Sequence, residues 1–400
     1  MKICYFCQEM SVVSLIDFGQ QPVSHRFLLS RVEDEYLGPL KIGQCQKCGL
    51  VQQLEPMPID ELRPRFAWLE STEPERHLDD LVRTIIKLPG ISPESKICGL
   101  SWKEDTTLAR LNGLGFNNTW RLDLQSDLDI QEPCANVETI QERLTFKQSE
   151  EIVRRRGKAH IVIARHLIEH AFNVRDFLRA VKNLLHPKGY LILEIPDCQR
   201  ALENLDYTTI WEEHTLYFTP ATFKACFSVG GFRLVDFIEE EYSLENSYIG
   251  IAQINEDNRR FFFDPLVLKE ELKRARRFSE QLETKRKDVK TYLTNFRRDH
   301  GKVAIFGAAH MCVAFINLLK LQNCIEFVVD DNPYKKGMFM PGSRLPIDGS
   351  LAIIDQNIKL CLLTLSVSGE EQVLANNKKF IERGGIFKSI FPRNPIALTV

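Results

Sequence analysis

Cys4-x-x-Cys7 and Cys45-x-x-Cys48 are the residues whose spacing speaks most directly of chemistry. Each pair can bring two thiolates to one side of a tight knuckle. Two knuckles complete a tetrahedron of sulfur around a zinc ion. Gly49, directly after Cys48, suits the turn. The long interval between Cys7 and Cys45 implies an inserted strand or loop. With all four positions filled by protein, the ion is structural and closed to water. It staples a segment too small to hold a core of its own. The competing reading is four unrelated cysteines in a reduced protein. The chain has eleven cysteines, an odd number, and its start lacks the apolar run of a secretory leader. That usage points to metal before disulfides. Cys98, Cys312 and Cys361 lie in apolar stretches and read as small buried hydrophobes.

A second cluster is Glu212, Glu213 and His214 in YTTIWEEHTLYF, flanked by Trp211, Tyr217 and Phe218. Chemistry at a carbon beside a ketone needs a base for a weakly acidic proton. A histidine oriented by a neighbouring carboxylate suits that role near neutral pH. The carboxylate also raises the histidine pKa by stabilising imidazolium. The alternative is a surface Glu-Glu-His turn. RHLIEH adds His166 and His170, which read either as ligand contacts or as helix-start and packing residues.

The elements that must position these groups alternate between strand and helix patterns over residues 61–255. SKICGL, TWRLDL, HIVIAR and YLILEIPD are strand candidates. The last is nearly all apolar, as in a parallel strand covered on both faces. DTTLARLNGLG and VRDFLRAVKNLLHPKG read as crossover helices, the second stopped by Pro187 and Gly189. TPATFKACFSVGGF reads as a helix capped by Thr219 and ended at Gly230 and Gly231. The carboxyl ends of such strands line a ligand crevice. A nucleoside methyl donor would need a close-approach turn after the first strand and a carboxylate ending the second. Gly99 and Asp123 stand there, with Ser101 and Asp105 where further glycines are expected. Asp123 also reads as a solvated turn residue.

Asp264 to Gly301 reads as one long helix, with Asp264 as cap, Pro265 in the first turn and Gly301 at the close. Leu268, Ala275, Leu282, Val289 and Phe296 recur along one face. That stripe packs on the rest of the chain or forms a dimer seam. KVAIFGAAHMC then runs from strand to turn to helix, and IEFVVDD ends in Asp330 and Asp331. This is a nucleotide-binding layout without two of the three fingerprint glycines, so a Rossmann-like shape without NAD is expected.

The expected fold is α/β in four parts: a small zinc-binding domain at 1–60, a Rossmann-like domain at 61–255, a linking helix at 256–300 and a second Rossmann-like domain at 301–400. Composition is 44% apolar and 26% charged, which is globular. With 52 basic against 54 acidic residues, the chain lacks the basic excess of general nucleic-acid binding. No apolar run approaches the ~20 residues of a membrane span. A cytoplasmic protein with neither nucleic-acid nor membrane partner is expected, as a monomer or a homodimer.

Taken in order, the motifs resemble the sugar C-methyltransferases of antibiotic and surface-saccharide pathways. They are the two cysteine pairs, FGQQPVSHRF, CGLVQ, HLIEH…FLRAVKNLLHPKGYLILEIPD, WEEHTLYF and IFGAAHMC…VVDDNPYKKGMFMPGSRLPI. The resemblance covers nearly the whole chain. It implies a structural zinc domain, an S-adenosylmethionine-dependent methyltransferase domain and a C-terminal Rossmann-like domain, acting on a keto-sugar nucleotide. It implies His214 as base with Glu213 as its partner, and a donor loop whose glycines match Ser101 and Asp105; Gly99, Asp123 and His166 at the strand ends complete the expected donor site. It also sets Trp211, Phe66 and Trp68 where the family has tyrosines. Glu245 and Asn246 stand for glycines, and Met311 for a lysine. A changed substrate is one consequence of these departures. A non-methylating relative that binds a nucleotide sugar or a partner enzyme is the other.

Overall fold

Short apolar runs bounded by turns form three sheets in the computed structural model, which describes residues 2–66, 68–69, 75–131, 136–255 and 263–399. Strands β1 (Val12–Pro22), β2 (Leu37–Cys45) and β3 (Val51–Gln53) make an antiparallel meander. Strands β4 (Ile97–Gly99), β5 (Thr119–Arg121), β6 (Ala159–Arg165) and β7 (Leu185–Pro196) follow, and all pair in parallel. The chain then makes β8 (Leu216–Tyr217), which leaves this sheet and pairs with β3. Strands β9 (Phe232–Glu240) and β10 (Ser247–Ile254) return as an antiparallel extension, giving the order β5-β4-β6-β7-β10-β9. A third, all-parallel sheet has the order β13-β12-β11-β14-β15. It is built from β11 (Lys302–Phe306), β12 (Val328–Val329), β13 (Ile347–Asp348), β14 (Ile358–Leu363) and β15 (Ile386–Ser389).

The near-continuous burial of β6 and β7 follows from helices covering the sheet. The helix Val174–Leu184 buries Val174, Phe177, Leu178, Val181 and Leu184 on one stripe, with Asn173 capping its start. It ends earlier than Pro187 and Gly189 suggest. Leu185 already pairs with Ala159, so the strand begins where the helix stops, and both residues lie inside β7. At Gly189 an added Cβ would sit 2.6 Å from the His160 carbonyl, so that glycine serves a close strand approach.

The 35-residue helix Pro265–Asp299 starts at the expected cap, Asp264, whose carboxylate accepts from the Leu266 N–H at 2.7 Å. Ala275, Phe278, Leu282, Val289, Leu293 and Phe296 are buried, while its first turns are exposed. At about 1.5 Å per residue it is a spine of roughly 50 Å. Near one end Gln44 donates to the Glu271 carbonyl, and further along Arg286 donates to the Leu318 carbonyl. The spine thus ties the first sheet to the third. One apolar core joins the cysteine knuckles to the parallel sheet, and a second joins β1, β2, the spine and the third sheet. No helix among the described residues is long and apolar enough to cross a membrane.

Candidate active site and zinc centre

The four cysteine sulfurs lie within 4.8 Å of one another. Cys4 and Cys48 are 3.6 Å apart, as are Cys7 and Cys45. Zn–S bonds of ~2.3 Å place tetrahedral sulfurs roughly 3.8 Å apart, so the set fits zinc. Cys4, Cys45 and Cys48 are buried and Cys7 is half-buried, as in a closed structural centre. Hydrogen bonds from Cys4 and the other two thiols hold the Cys45 thiol far below its usual range, and Ser11 Oγ adds a contact at 3.0 Å. Gly49 takes φ +74°, and a Cβ there would meet the Glu271 side chain at 2.8 Å. The glycine therefore serves both the knuckle turn and the seat of the spine helix.

The zinc-binding segment also positions the Glu-Glu-His turn. Gln53 Nε2 donates to the carbonyls of Trp211, Glu212 and His214 at 3.0, 2.8 and 2.8 Å, and the Gln53 N–H donates to the Thr215 carbonyl. Pairing of β3 with β8 continues the grip. Glu212 is buried on Ser24, accepting from its N–H at 2.5 Å and its hydroxyl at 2.9 Å. Burial, with the charge of Glu213 adding to it, pushes the Glu212 carboxyl up to about 7.

Glu213, expected to serve His214, has Oε1 3.1 Å from His25 Nε2. His25 reaches in from the zinc-binding segment. Its only signal in the sequence was its place in FGQQPVSHRF. The His214 ring is 4.8 Å from His170 and 4.9 Å from Trp211. Ligand atoms of Glu169, His170 and His214 lie within 4.8 Å of one another, a group able to hold a cation or a polar ligand. Both Glu169 carboxylate oxygens are buried without a hydrogen-bond partner. Glu138 Oε1 sits 2.5 Å from His170 Nδ1 and fixes that ring. Burial opposes charge on His170, but Glu138 outweighs it and lifts the His170 pKa.

Trp211 stacks on His310 of the third sheet's unit at 4.4 Å. Trp68 stacks between Phe66, at 5.2 Å, and Tyr334, at 5.6 Å. Met311 lies in the first turn of the helix that His310 begins. Asn246 is turned toward Glu239 and Arg200. Asp330, the carboxylate after the second strand of the third sheet's unit, is engaged in its own turn. It accepts from the Ala308 N–H at 3.0 Å and Lys335 Nζ at 2.9 Å.

The crevice at the carboxyl ends of β4, β5 and β6 gathers the remaining expected residues. Asp123 is an exposed carboxylate beyond β5, accepting from the Ser126 N–H at 2.7 Å. Asp105 points away, pairing with Arg121 at 2.6 Å on the surface. Ser101 is buried as the cap of a short turn and forms a capping box with Glu104. Glu104 has no exposed surface, and its carboxylate accepts from the N–H groups of Ser101 and, at 2.7 Å, Arg165. Burial pushes it up to about 7. Gly99 makes room for Glu104, since a Cβ there would lie 2.7 Å from the Glu104 Cβ. Arg165 donates to Glu194 Oε2 at 2.6 Å and to the Lys103 carbonyl at 2.7 Å. Glu194 Oε1 lies 3.0 Å from His77 Nε2 and 3.3 Å from His166 Nε2. Burial favours a neutral Glu194, but His166, His77 and Arg165 overcome it and hold the carboxyl well below its usual range.

Three family models match in the order the geometry implies: a zinc binding domain over residues 4–62, a methyltransferase domain over 72–236 and a C-methyltransferase C-terminal domain over 268–392. The C-methyltransferase NovU of Streptomyces niveus is 25% identical over 397 residues, covering 96% of this chain and 94% of that one. The chain thus carries, in order, the three parts of a zinc-containing C-methyltransferase. It is an S-adenosylmethionine-dependent methyltransferase by those parts and by its likeness to a C-methyltransferase over nearly its whole length. Solved structures of a methyltransferase from Aquifex aeolicus and of the 1,6-didemethyltoxoflavin-N1-methyltransferase of Burkholderia thailandensis, the latter with S-adenosylhomocysteine, also match. They are 12% and 10% identical, each covers 45% of this chain, and 93% and 78% of their own lengths align, both with a TM-score of 0.29. At one end of the crevice Asp123 offers an exposed carboxylate, whereas between the ends of β4 and β6 the buried Glu104 carboxylate takes the backbone N–H groups that a donor carboxylate would need.

Proposed function

We propose that this C-methyltransferase acts on a carbon beside the ketone of a keto-sugar nucleotide, with His214 as the base. One observation carries the reading: all three parts of the chain converge on His214. Gln53 holds its turn from the zinc-binding segment, Glu169 and His170 face it from the end of β6, and His310 stacks behind Trp211. A base fixed from three sides sits at a junction that can exclude water and orient a sugar ring. The donor supplies an electrophilic methyl group when bound. The chain's own part is to remove the proton at His214 and hold the resulting enolate. Glu213 is then a positioning residue, acting through His25 on the same turn.

The functional division 1–60, 61–255, 256–300 and 301–400, a cytoplasmic setting, a monomer or homodimer and a role in saccharide biosynthesis belong to the same proposal. The filled crevice favours a second reading, a relative that binds a nucleotide sugar without methylating it.

Solvent-deuterium exchange at the carbon beside the ketone tests the base without the donor. A keto-sugar nucleotide incubated with the protein exchanges that proton, and His214→Ala slows the exchange by about 10²–10⁴-fold. Exchange at an undiminished rate in a folded His214→Ala protein removes the assignment.

A further inference from the structure

Strand order places β4 and β6 side by side while the chain passes from β4 out to β5, so the topological switch point lies between β4 and β6. In open parallel sheets that point holds the ligand. Here a side chain of the protein holds it. The Glu104 carboxylate spans the gap, taking one N–H from the turn after β4 and one from the end of β6. These are the donors a ligand carboxylate would use, because two convergent N–H groups at strand ends form an anion cradle. Beside them Arg165 is 1% exposed, and its Nη2 is buried without a hydrogen-bond partner. Its Nε holds Glu194 and its Nη1 the Lys103 carbonyl, so Nη2 is the donor left over for an anionic ligand.

Resting on the methyltransferase reading, we infer that Glu104 is an internal ligand of the donor crevice, occupying the seat of the donor's methionine carboxylate, and that the donor binds only by displacing it. Once displaced, the two N–H groups and Arg165 Nη2 receive the carboxylate of an amino-acid-bearing nucleoside. Asp123 takes the ribose. Glu104 thereby sets how tightly this member holds its donor. The capping box it forms with Ser101 keeps it in place.

Calorimetric titration of the full-length protein with S-adenosylhomocysteine tests this, with ligand-dependent thermal unfolding as a second readout. Glu104→Ala is expected to tighten binding at least tenfold over the wild type and to enlarge the ligand-induced rise in unfolding temperature. Adding Asp123→Ala to that variant weakens binding again. Should Glu104→Ala fail to fold, Glu104→Gln decides: its amide can accept from only one of the two N–H groups, and binding tightens at least threefold. Equal affinity in wild type and folded variants overturns the internal ligand and leaves the donor reading standing. If neither the wild type nor any folded variant binds at millimolar ligand, the internal ligand and the donor reading fail together.

Discussion

Glu213 and His214 are neighbours in the chain, yet the Glu213 carboxylate lies 3.1 Å from His25. Burial works against a charge on His25, but the hydrogen bond and Coulomb pull of Glu213, with Glu212 behind it, lift its pKa above the ordinary value. Its share of stability is therefore full at acidic pH and lost as pH rises through the raised folded-state value. Replacing Glu213 by Gln is expected to lower the His25 titration midpoint, read from the ring protons by NMR. A midpoint that stays put would show that Glu213 does not carry the pair. Chelating cysteines are legible in sequence because ligand spacing is local. The Glu104–Arg165–Glu194 cluster is not, because its members sit at the ends of different elements and each looks like an ordinary charged residue. Even so, Ser101-Trp102-Lys103-Glu104 has capping-box spacing, the one sequence signal that turned Glu104 inward.

At the scale of elements, long apolar strands and the capped spine helix were readable because periodicity and caps act over many residues. The end of the helix Val174–Leu184 was not, since a ladder partner, Ala159, claimed Leu185 before the proline could matter. Strand β8, two residues long, has no period to read. Yet β8 and Gln53 couple the zinc centre to the turn bearing His214. Removing zinc with a chelator should therefore raise amide hydrogen exchange in two places: across the cysteine knuckles and across residues 211–217. The first reflects loss of a centre whose binding free energy is about 10 kcal/mol or more in small zinc peptides. Exchange confined to the knuckles would mean that the turn is held by other contacts.

For the molecule as a whole, the parts meet through a few specific contacts. The Leu28 and Phe339 backbones exchange two hydrogen bonds, at 3.0 and 2.8 Å, across the first and third units. Trp211 stacks on His310 at the same junction. A double-mutant cycle with Trp211→Ala and His310→Ala is expected to give a coupling of about 1 kcal/mol in thermal unfolding. Additive effects would reduce the stack to coincidence of position. The order of the three parts was visible in the motifs, but their interlocking was not, because motif order carries no information about which edges face one another.

That interlocking has a consequence for the newborn chain. Strand β3 gains its second neighbour only when Leu216 and Tyr217 exist. At about 5–20 residues per second, the ribosome needs roughly 10–30 s to deliver them. Throughout that wait one flank of β3 lies bare, and a bare flank invites pairing with another nascent copy. The stretch left open is only Val51–Gln53, three residues ending in two glutamines, which keeps such an encounter brief and poorly rewarded.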